Sequence, residues 1–332
     1  MLLWIEFVIC SSVIVYSGSR LSKYGDIIAE KTGLGGTWIG VVLMSFVTSL
    51  PELVTGISSV SFAGLPDIAA GDVLGSCVFN LFILAFLDAL YRPMPLSAKA
   101  LHGHILSAGF GILLLSIVAL NISHTTLFFP FGWIGSYSLF FVMIYFMAMK
   151  LVYSYERRQA AMAIKERVVE LKYGDISTKT AVSRYAINAA IVIAAAVFLP
   201  KIGEGIAKTT GLGQTFVGNI FIAMSTSLPE VAVSIAAVRI GAIDLAVGNL
   251  LGSNIFNIFI LAVDDIFFTK GPILSFTDPV HAVSAMSAVS MTAIAIIGLT
   301  YRAEKKRLFM AWDSIGITLI FVINLTALFM LR

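Results

Sequence analysis

Charged residues are scarce in this sequence. Only 12% of its 332 residues are Asp, Glu, Lys or Arg, whereas 58% are hydrophobic, and soluble proteins carry about 25% charged residues. This shortage excludes a water-covered globular surface and a disordered chain. The net charge of +3 is too small to predict nucleic acid or another polyanion as a partner. The composition instead predicts a protein that lies in a lipid bilayer.

Cysteine is also rare. The two cysteines, Cys10 and Cys77, both lie in apolar segments and do not have the spacing of a metal-ligand pair, so a disulfide-stabilised scaffold is excluded. Residues 1–19 lack the basic segment that begins a secretory signal peptide. We therefore expect these residues to form a first membrane span.

Apolar segments long enough to cross a bilayer recur along the chain. Ten of them are found, near 3–19, 37–62, 68–90, 104–121, 128–150, 184–200, 214–238, 243–266, 280–299 and 311–331. The longest polar interval, 153–183, separates the first five from the last five. This pattern predicts an all-α membrane protein of ten transmembrane helices, with a first five-helix unit over 1–152, a loop over 153–183 and a second unit over 184–332.

Positive charges indicate how the spans are oriented. If the N-terminus lies outside, the cytoplasmic connections contain 18 of the 22 Lys and Arg residues. Cytoplasmic loops of membrane proteins carry such an excess. Both termini are therefore expected outside, and the loop over 153–183 is expected in the cytoplasm.

Three sequence blocks of the first half recur in the second half. Residues 32–40 match 210–218 and residues 48–52 match 226–230 at an offset of 178, while residues 71–80 match 248–257 at an offset of 177. Because each half has five spans, an odd number, the second half is expected to enter the membrane from the opposite side. Inverted-topology repeats of this kind are common in secondary transporters, whose sites lie near the membrane midplane.

The repeated blocks place a proline and a glutamate inside an apolar span of each half. Pro51 and Pro229 should kink or break their helices, because proline lacks an N–H group, and the freed carbonyls need partners. Glu52 and Glu230 follow directly. A carboxylate in mid-bilayer costs about 2.5–3.5 kcal/mol on insertion scales, so two at matching positions indicate a function.

Further oxygen atoms accompany the glutamates. They come from hydroxyl and amide side chains within one turn of a glutamate or on the facing helix, namely Thr48, Ser49, Ser76, Asn80, Thr226, Ser227, Ser253 and Asn257. Hard cations such as Ca²⁺ and Na⁺ prefer oxygen ligands. The blocks therefore predict a cation site between the two halves. Three further acidic residues of the spans, Asp88, Asp264 and Asp265, are expected near span ends, the last two facing water.

These blocks closely resemble the alpha repeats of the calcium/cation antiporter superfamily, that is, of sodium/calcium exchangers and in particular the short prokaryotic ones. The resemblance implies that Glu52 and Glu230 are shared ligands of Ca²⁺ and Na⁺, with the serines beside them and Asn80 and Asn257 completing the centre. It also implies that backbone oxygens of Thr48 and Thr226 take part. Positions matching Ser45 and Ala223 line outlying sodium sites in such exchangers.

Two departures from the family pattern concern charge. Some prokaryotic exchangers have Asp at the position of Asn257, whereas Asp72 occupies a position that is Asn249 in the second repeat. Asp72 lies one turn before Ser76, on the side that faces the site. With two glutamates the centre carries a charge of −2, which one Ca²⁺ would neutralise, whereas three Na⁺ would leave +1.

The expected function is exchange of Ca²⁺ for Na⁺ by alternating access, in a prokaryotic inner membrane and without a cofactor. The resemblance implies that the first span of each half slides past a fixed core. A proton in place of Na⁺ stays open as the coupling ion, for Ca²⁺ or another divalent cation, because burial disfavours the charged form of a carboxylate. A passive cation channel is a second alternative. An enzyme is not expected, because no nucleophile–base pair or cofactor motif occurs, and the sequence does not indicate an oligomeric state.

Overall fold

The computed structural model describes residues 2–124, 129–166, 173–209, 224–306 and 309–331. These segments are almost entirely helical. The helices are α1 (Leu2–Thr32), α2 (Gly36–Thr48), α3 (Leu50–Ala63), α4 (Pro66–Leu90), α5 (Leu96–Lys99), α6 (Gly103–Ser123), α7 (Ser136–Glu166), α8 (Thr178–Thr209), α9 (Leu228–Arg239), α10 (Ile243–Phe267), α11 (His281–Tyr301) and α12 (Trp312–Met330). One short antiparallel pair, β1 (Pro130–Phe131) with β2 (Ile134–Gly135), precedes α7.

Eight helices of the described segments are long and apolar enough to cross a membrane, and α2 with α3 forms a ninth, bent span. Each of these nine overlaps one of the segments predicted from the sequence. The remaining segment, 214–238, is described only from residue 224 onward, where it contains α9. The fold is thus helical and membrane-spanning as expected, and the count of ten spans stays a prediction.

The first helix is longer than its predicted span. The apolar segment 3–19 ends before Arg20, yet α1 continues to Thr32. Leu21, Tyr24 and Ile28 lie on one face of this continuation and are buried, which is the spacing of an amphipathic helix. The predicted loop 153–183 is likewise helical at both ends, because α7 runs to Glu166 and α8 begins at Thr178.

Helix α10 lies at the centre of the molecule. Nearly all of its residues are buried, and it contacts α2, α3, α4, α6, α7 and α9. Small residues permit these contacts, since a Cβ atom at Gly248 would lie 2.8 Å from the carbonyl oxygen of Thr37, and one at Gly40 would lie 2.6 Å from that of Leu245. Close backbone approach through glycine is common between membrane helices.

The outer helices expose apolar side chains. Helices α1 and α8 pack along each other, and α1 also contacts α9, while α11 packs against α6 and α12. Exposed apolar residues include Ile5 on α1, Phe146 on α7, Ile187 on α8 and Leu319 on α12. An apolar surface of this extent requires lipid as its solvent. The chain is an integral membrane protein.

The end of α10 differs from the sequence prediction. Asp264 and Asp265 were expected to face water at the end of a span, but both are fully buried. Asp265 accepts hydrogen bonds from the backbone N–H groups of Ile273 at 2.7 Å and Gly135 at 2.8 Å. The prediction was wrong because the chain turns back after α10 and covers this carboxylate with its own backbone.

Asp88 near the end of α4 is buried in the same way. Its carboxylate accepts hydrogen bonds from the backbone N–H groups of Leu96 and Ala311, each at 2.7 Å, and pairs with the Lys306 ammonium at 3.1 Å. Only 2% of this side chain is exposed. The carboxylate therefore fixes the loop after α4 and the start of α12 in place.

Candidate cation site

Two helix breaks position the glutamates. Helices α2 and α3 meet at an angle of 40° around Ser49, whose φ and ψ are −93° and 9°, and Ser227 before α9 has similar values of −82° and 8°. Pro51 and Pro229 are each the second residue of the helix that follows. Proline is tolerated in a first helical turn but interrupts a continuous helix, so the predicted breaks are confirmed.

The two glutamates of these first turns converge in the interior. Glu52 and Glu230 are both fully buried. The Ser76 hydroxyl lies 3.3 Å from one oxygen of Glu52, and the Ser49 hydroxyl donates to one oxygen of Glu230 at 3.0 Å. The other oxygen of each glutamate has no hydrogen-bond partner among the described residues. Burial of two carboxylates in one low-dielectric centre is unfavourable unless a bound cation compensates their charge.

Buried hydroxyl groups link the two halves around the glutamates. The hydroxyl oxygens of Ser76 and Ser227 are 3.1 Å apart, and those of Thr48 and Ser253 are 3.4 Å apart. Thr48 also donates to the amide oxygen of Asn249 at 3.2 Å. All five side chains are fully buried. The hydroxyl residues predicted from the repeated blocks thus lie together at one centre.

Three amides complete this centre. The Asn80 amide nitrogen donates to the Asn254 side-chain oxygen at 3.0 Å, and the Asn254 amide donates to the Cys77 carbonyl at 3.2 Å. The Asn80 oxygen and both polar atoms of Asn257 have no hydrogen-bond partner within the described segments. Sequence reasoning did not single out Asn254, although it lies in the repeated block, at the position of Cys77.

The outlying predicted residues have different surroundings. Asp72 is 8% exposed and accepts a hydrogen bond from the Thr226 hydroxyl at 3.1 Å. Ser45 is buried, with its hydroxyl bonded to the Val41 carbonyl. Ala223 and the repeat block 210–218 lie outside the described residues.

Asp264 is a buried acid that the sequence assigned to the surface. Neither of its carboxylate oxygens has a hydrogen-bond partner in the described part of the chain. It lies against Gly56 of α3, where an added Cβ would be 2.6 Å from one of these oxygens. Position 56 is one helical turn after Glu52, so this carboxylate belongs to the surroundings of the site.

The chemistry of the centre is that of oxygen ligands. Carboxylate, hydroxyl and amide oxygens are the ligands of hard cations, and no cluster of three or more His, Cys, Asp or Glu side chains suited to a metal ion occurs in the described residues. Two carboxylates among neutral oxygens are a set of ligands suited to a hard cation.

The chain is similar to known membrane proteins along most of its length. The family model described as sodium/calcium exchanger protein matches residues 2–152 and 181–330. Inner membrane protein YrbG from Escherichia coli K12 is 30% identical over 87% of this chain and 86% of that protein. Sodium/calcium exchanger MaX1 from Methanosarcina acetivorans is 28% identical over 92% of this chain and 93% of that protein.

A solved structure has a similar fold. The sodium-calcium exchanger NCX_Mj, soaked with 2.5 mM Na⁺ and 0.1 mM Ca²⁺, matches with a TM-score of 0.74 over 98% of both chains. At 19% sequence identity this likeness concerns the fold alone.

Proposed function

This chain belongs to the sodium/calcium exchanger protein family, and on that premise we propose that it exchanges Ca²⁺ for Na⁺ by alternating access at the buried oxygen centre. As a member of this family it is a cation antiporter of the membrane, and its relative YrbG is an inner membrane protein. The observation that carries the proposal is the pair of buried glutamates, each with one oxygen that no described residue hydrogen-bonds.

The proposed ligands are the residues that surround this pair. Glu52 and Glu230 bind Ca²⁺ or Na⁺ in turn, so that the ions compete for the same carboxylates. The flanking oxygens come from Thr48, Ser49, Ser76, Asn80, Thr226, Ser227, Ser253 and Asn257, and the outlying sodium positions involve Ser45 and Ala223. An empty centre would leave two uncompensated charges in a low-dielectric interior, which opposes return of the unloaded carrier and favours exchange.

Matching contacts in the two halves support an inverted repeat. The imidazole of His104 lies 3.0 Å from the Asp244 carboxylate, and that of His281 lies 3.3 Å from the Asp67 carboxylate. The two histidines and the two aspartates are each 177 positions apart, which is the offset of the last repeated block. We accordingly propose two five-helix units, 1–152 and 184–332, joined by a cytoplasmic loop over 153–183.

The first span of each unit is proposed to move. Helices α1 and α8 pack along each other at the edge of the molecule and contact α9 and α3, which carry the two glutamates. A sliding motion of this pair would open the centre to one side and close it to the other. Shear of packed helices is one of the common forms of conformational change in proteins.

The test is ⁴⁵Ca²⁺ uptake into proteoliposomes with an outward Na⁺ gradient. We expect Na⁺-driven uptake by the native chain and no uptake by Glu52→Gln or Glu230→Gln, because each substitution removes one of the two charges that bind the ion. Glu304→Gln changes an exposed carboxylate in the same way and serves as the matched control. Ca²⁺ flux retained by either site variant would contradict the assignment.

Position 257 is asparagine, so the proposed centre has only the two carboxylates of the glutamates. This charge favours a second candidate, proton-coupled exchange of Ca²⁺ or another divalent cation. Two glutamates can bind two protons in place of one Ca²⁺ without a change in net charge. An outward proton gradient that drives uptake while an Na⁺ gradient does not would identify this mode. Single-channel currents in a planar bilayer would instead indicate a passive channel.

A further inference from the structure

Asp264 is not explained by the proposed central site. It is fully buried, and both of its carboxylate oxygens are without a hydrogen-bond partner in the described ranges. Burial of a carboxylate without a partner is strongly unfavourable, so a side chain of this kind points to a ligand that the protein binds.

The carboxylate of Asp264 lies one helical turn from the central glutamate. It contacts Gly56, where a Cβ atom would come within 2.6 Å of one oxygen. Gly56 follows Glu52 by four residues on α3, so the two share a helix face. Asp264 also follows Asn257 by seven residues on α10, which is two turns along the same face.

A second buried carboxylate lies near Glu52. Asp72 is 92% buried, and one of its oxygens has no hydrogen-bond partner among the residues that the structure describes. It precedes Ser76, which contacts Glu52, by one turn of α4. Asp72 and Asp264 are thus each connected to Glu52 over one helical turn, Asp72 through Ser76 and Asp264 through Gly56.

The opposite side of the centre has neutral residues at the matching positions. Asn249 corresponds to Asp72 and Leu87 to Asp264 at an offset of 177, and Ser234 corresponds to Gly56 at an offset of 178. The Asn249 amide donates to the Ser234 hydroxyl at 3.1 Å, and Leu87 is fully buried. The second half thus has a hydrogen-bonded neutral pair, Asn249 with Ser234. In the first half, Gly56 stands at the position of Ser234 and leaves room for the Asp264 carboxylate.

We propose that Asp72 and Asp264 form an additional binding station for a divalent hard cation of the Ca²⁺ class, between the central glutamates and one face of the membrane. Two carboxylates neutralise one such ion, and oxygen is its preferred ligand. Gly56 provides the space. This inference rests on the proposed function in one respect, namely that the ion bound by the station is the ion that is transported.

Direct binding separates this station from the central site. We expect the purified Glu52→Gln/Glu230→Gln double variant to retain one ⁴⁵Ca²⁺ per chain in equilibrium dialysis. Adding Asp264→Asn should abolish that binding, and adding Gly56→Ser should weaken it by filling the space beside the carboxylate. The matched control is Asp278→Asn, an exposed aspartate. No Ca²⁺ bound by the double variant, or binding indifferent to Asp264→Asn, would overturn the proposal.

Because this assay involves no transport, its outcome is independent of the coupling ion. Binding that depends on Asp264 without Ca²⁺ flux in proteoliposomes would contradict the proposed function and leave the station intact. Na⁺-driven Ca²⁺ flux without Ca²⁺ binding that depends on Asp264 would contradict the station and leave the proposed function intact. Size-exclusion profiles that match the native chain ensure that each variant is folded.

Sidedness is the second readout, measured in right-side-out and inside-out membrane vesicles. With the central glutamates intact, Asp264→Asn should raise the Ca²⁺ concentration for half-maximal uptake about tenfold from one face only. The maximal rate should be retained. An equal shift from both faces, or a reduced maximal rate alone, would indicate a structural role and would contradict the station.

Discussion

At the residue scale, the buried carboxylates of this protein have two different kinds of surroundings. Asp88 and Asp265 are buried, and each accepts two hydrogen bonds from backbone N–H groups, of Leu96 and Ala311 for Asp88 and of Ile273 and Gly135 for Asp265. Glu52, Glu230 and Asp264 are buried with oxygens that no described residue satisfies. The first kind stabilises loops, and the second kind is suited to ions.

Removing a satisfied carboxylate should destabilise the fold. Asp88→Ala and Asp265→Ala leave two buried backbone donors each without their acceptor, at a cost of about 1–3 kcal/mol per donor. We expect both variants to melt at lower temperature in detergent than the native chain, as measured by intrinsic fluorescence. Asp88→Asn, which keeps one acceptor oxygen, should lose less stability. An unchanged melting temperature for both alanine variants would show that these hydrogen bonds contribute little.

The sequence predicted the glutamate centre but misplaced the acids near the end of α10. The glutamates were found because each follows a proline inside an apolar segment and because the pattern occurs twice. Asp264 and Asp265 lie at the end of an apolar segment, where a charge normally meets water. Only the return of the chain over Asp265 and the glycine at position 56 make their burial possible, and neither contact is visible in a linear pattern.

At the scale of helices, the contact between α1 and α9 connects the edge of the molecule to the site. The Ser22 hydroxyl of α1 donates to the Val233 carbonyl at 2.7 Å. A Cβ atom at Gly18 would lie 3.1 Å from a methyl group of Val233. Val233 is three residues after Glu230, so α1 lies directly on the helix that carries a glutamate.

A larger side chain at this contact should impede the proposed sliding. Gly18→Leu overpacks the interface, which typically costs about 1–3 kcal/mol, and we expect slower Na⁺-driven ⁴⁵Ca²⁺ uptake with equilibrium Ca²⁺ binding retained. Gly109→Leu is the control, because position 109 is exposed and its added Cβ would meet no described atom within 4 Å. Native uptake rates in Gly18→Leu would argue against motion at this contact.

The sequence predicted the position of a helix wherever an uninterrupted apolar segment is long enough to cross a bilayer. Apolar segments located nine of the spans, and proline located the breaks at Ser49 and Ser227. The extension of α1 past Arg20 was missed, because its buried face continues with helical spacing through residues that lower the average hydrophobicity. The 40° angle between α2 and α3 depends on packing around the break, which the sequence does not specify.

At the scale of the whole molecule, the distribution of positive charge bears on orientation. The spans inferred from the sequence place 18 of 22 Lys and Arg residues on one side. Such a bias sets the orientation of membrane proteins because positive segments stay in the cytoplasm. It supports an N-terminus and a C-terminus outside the cytoplasm.

Cysteine labelling tests this orientation. In a chain in which Cys10 and Cys77 are replaced by Ala, we expect Lys270→Cys to react with a membrane-impermeant maleimide in intact cells. Glu304→Cys should react only after permeabilisation, because it lies in a connection predicted to be cytoplasmic. Both positions are exposed, so accessibility to the reagent is matched. Labelling of both from the same side would contradict the ten-span arrangement.

The glycine at position 56 and the serine at position 234 also have a kinetic meaning. Net flux through a reversible carrier is directed by the electrochemical gradients alone, whatever the affinities along its path. An ion that is captured more tightly at one mouth must also leave that mouth more slowly. With the proposed station, Ca²⁺ would stay bound longer at one mouth of the carrier than at the other, while the gradients would still set the direction of net flux.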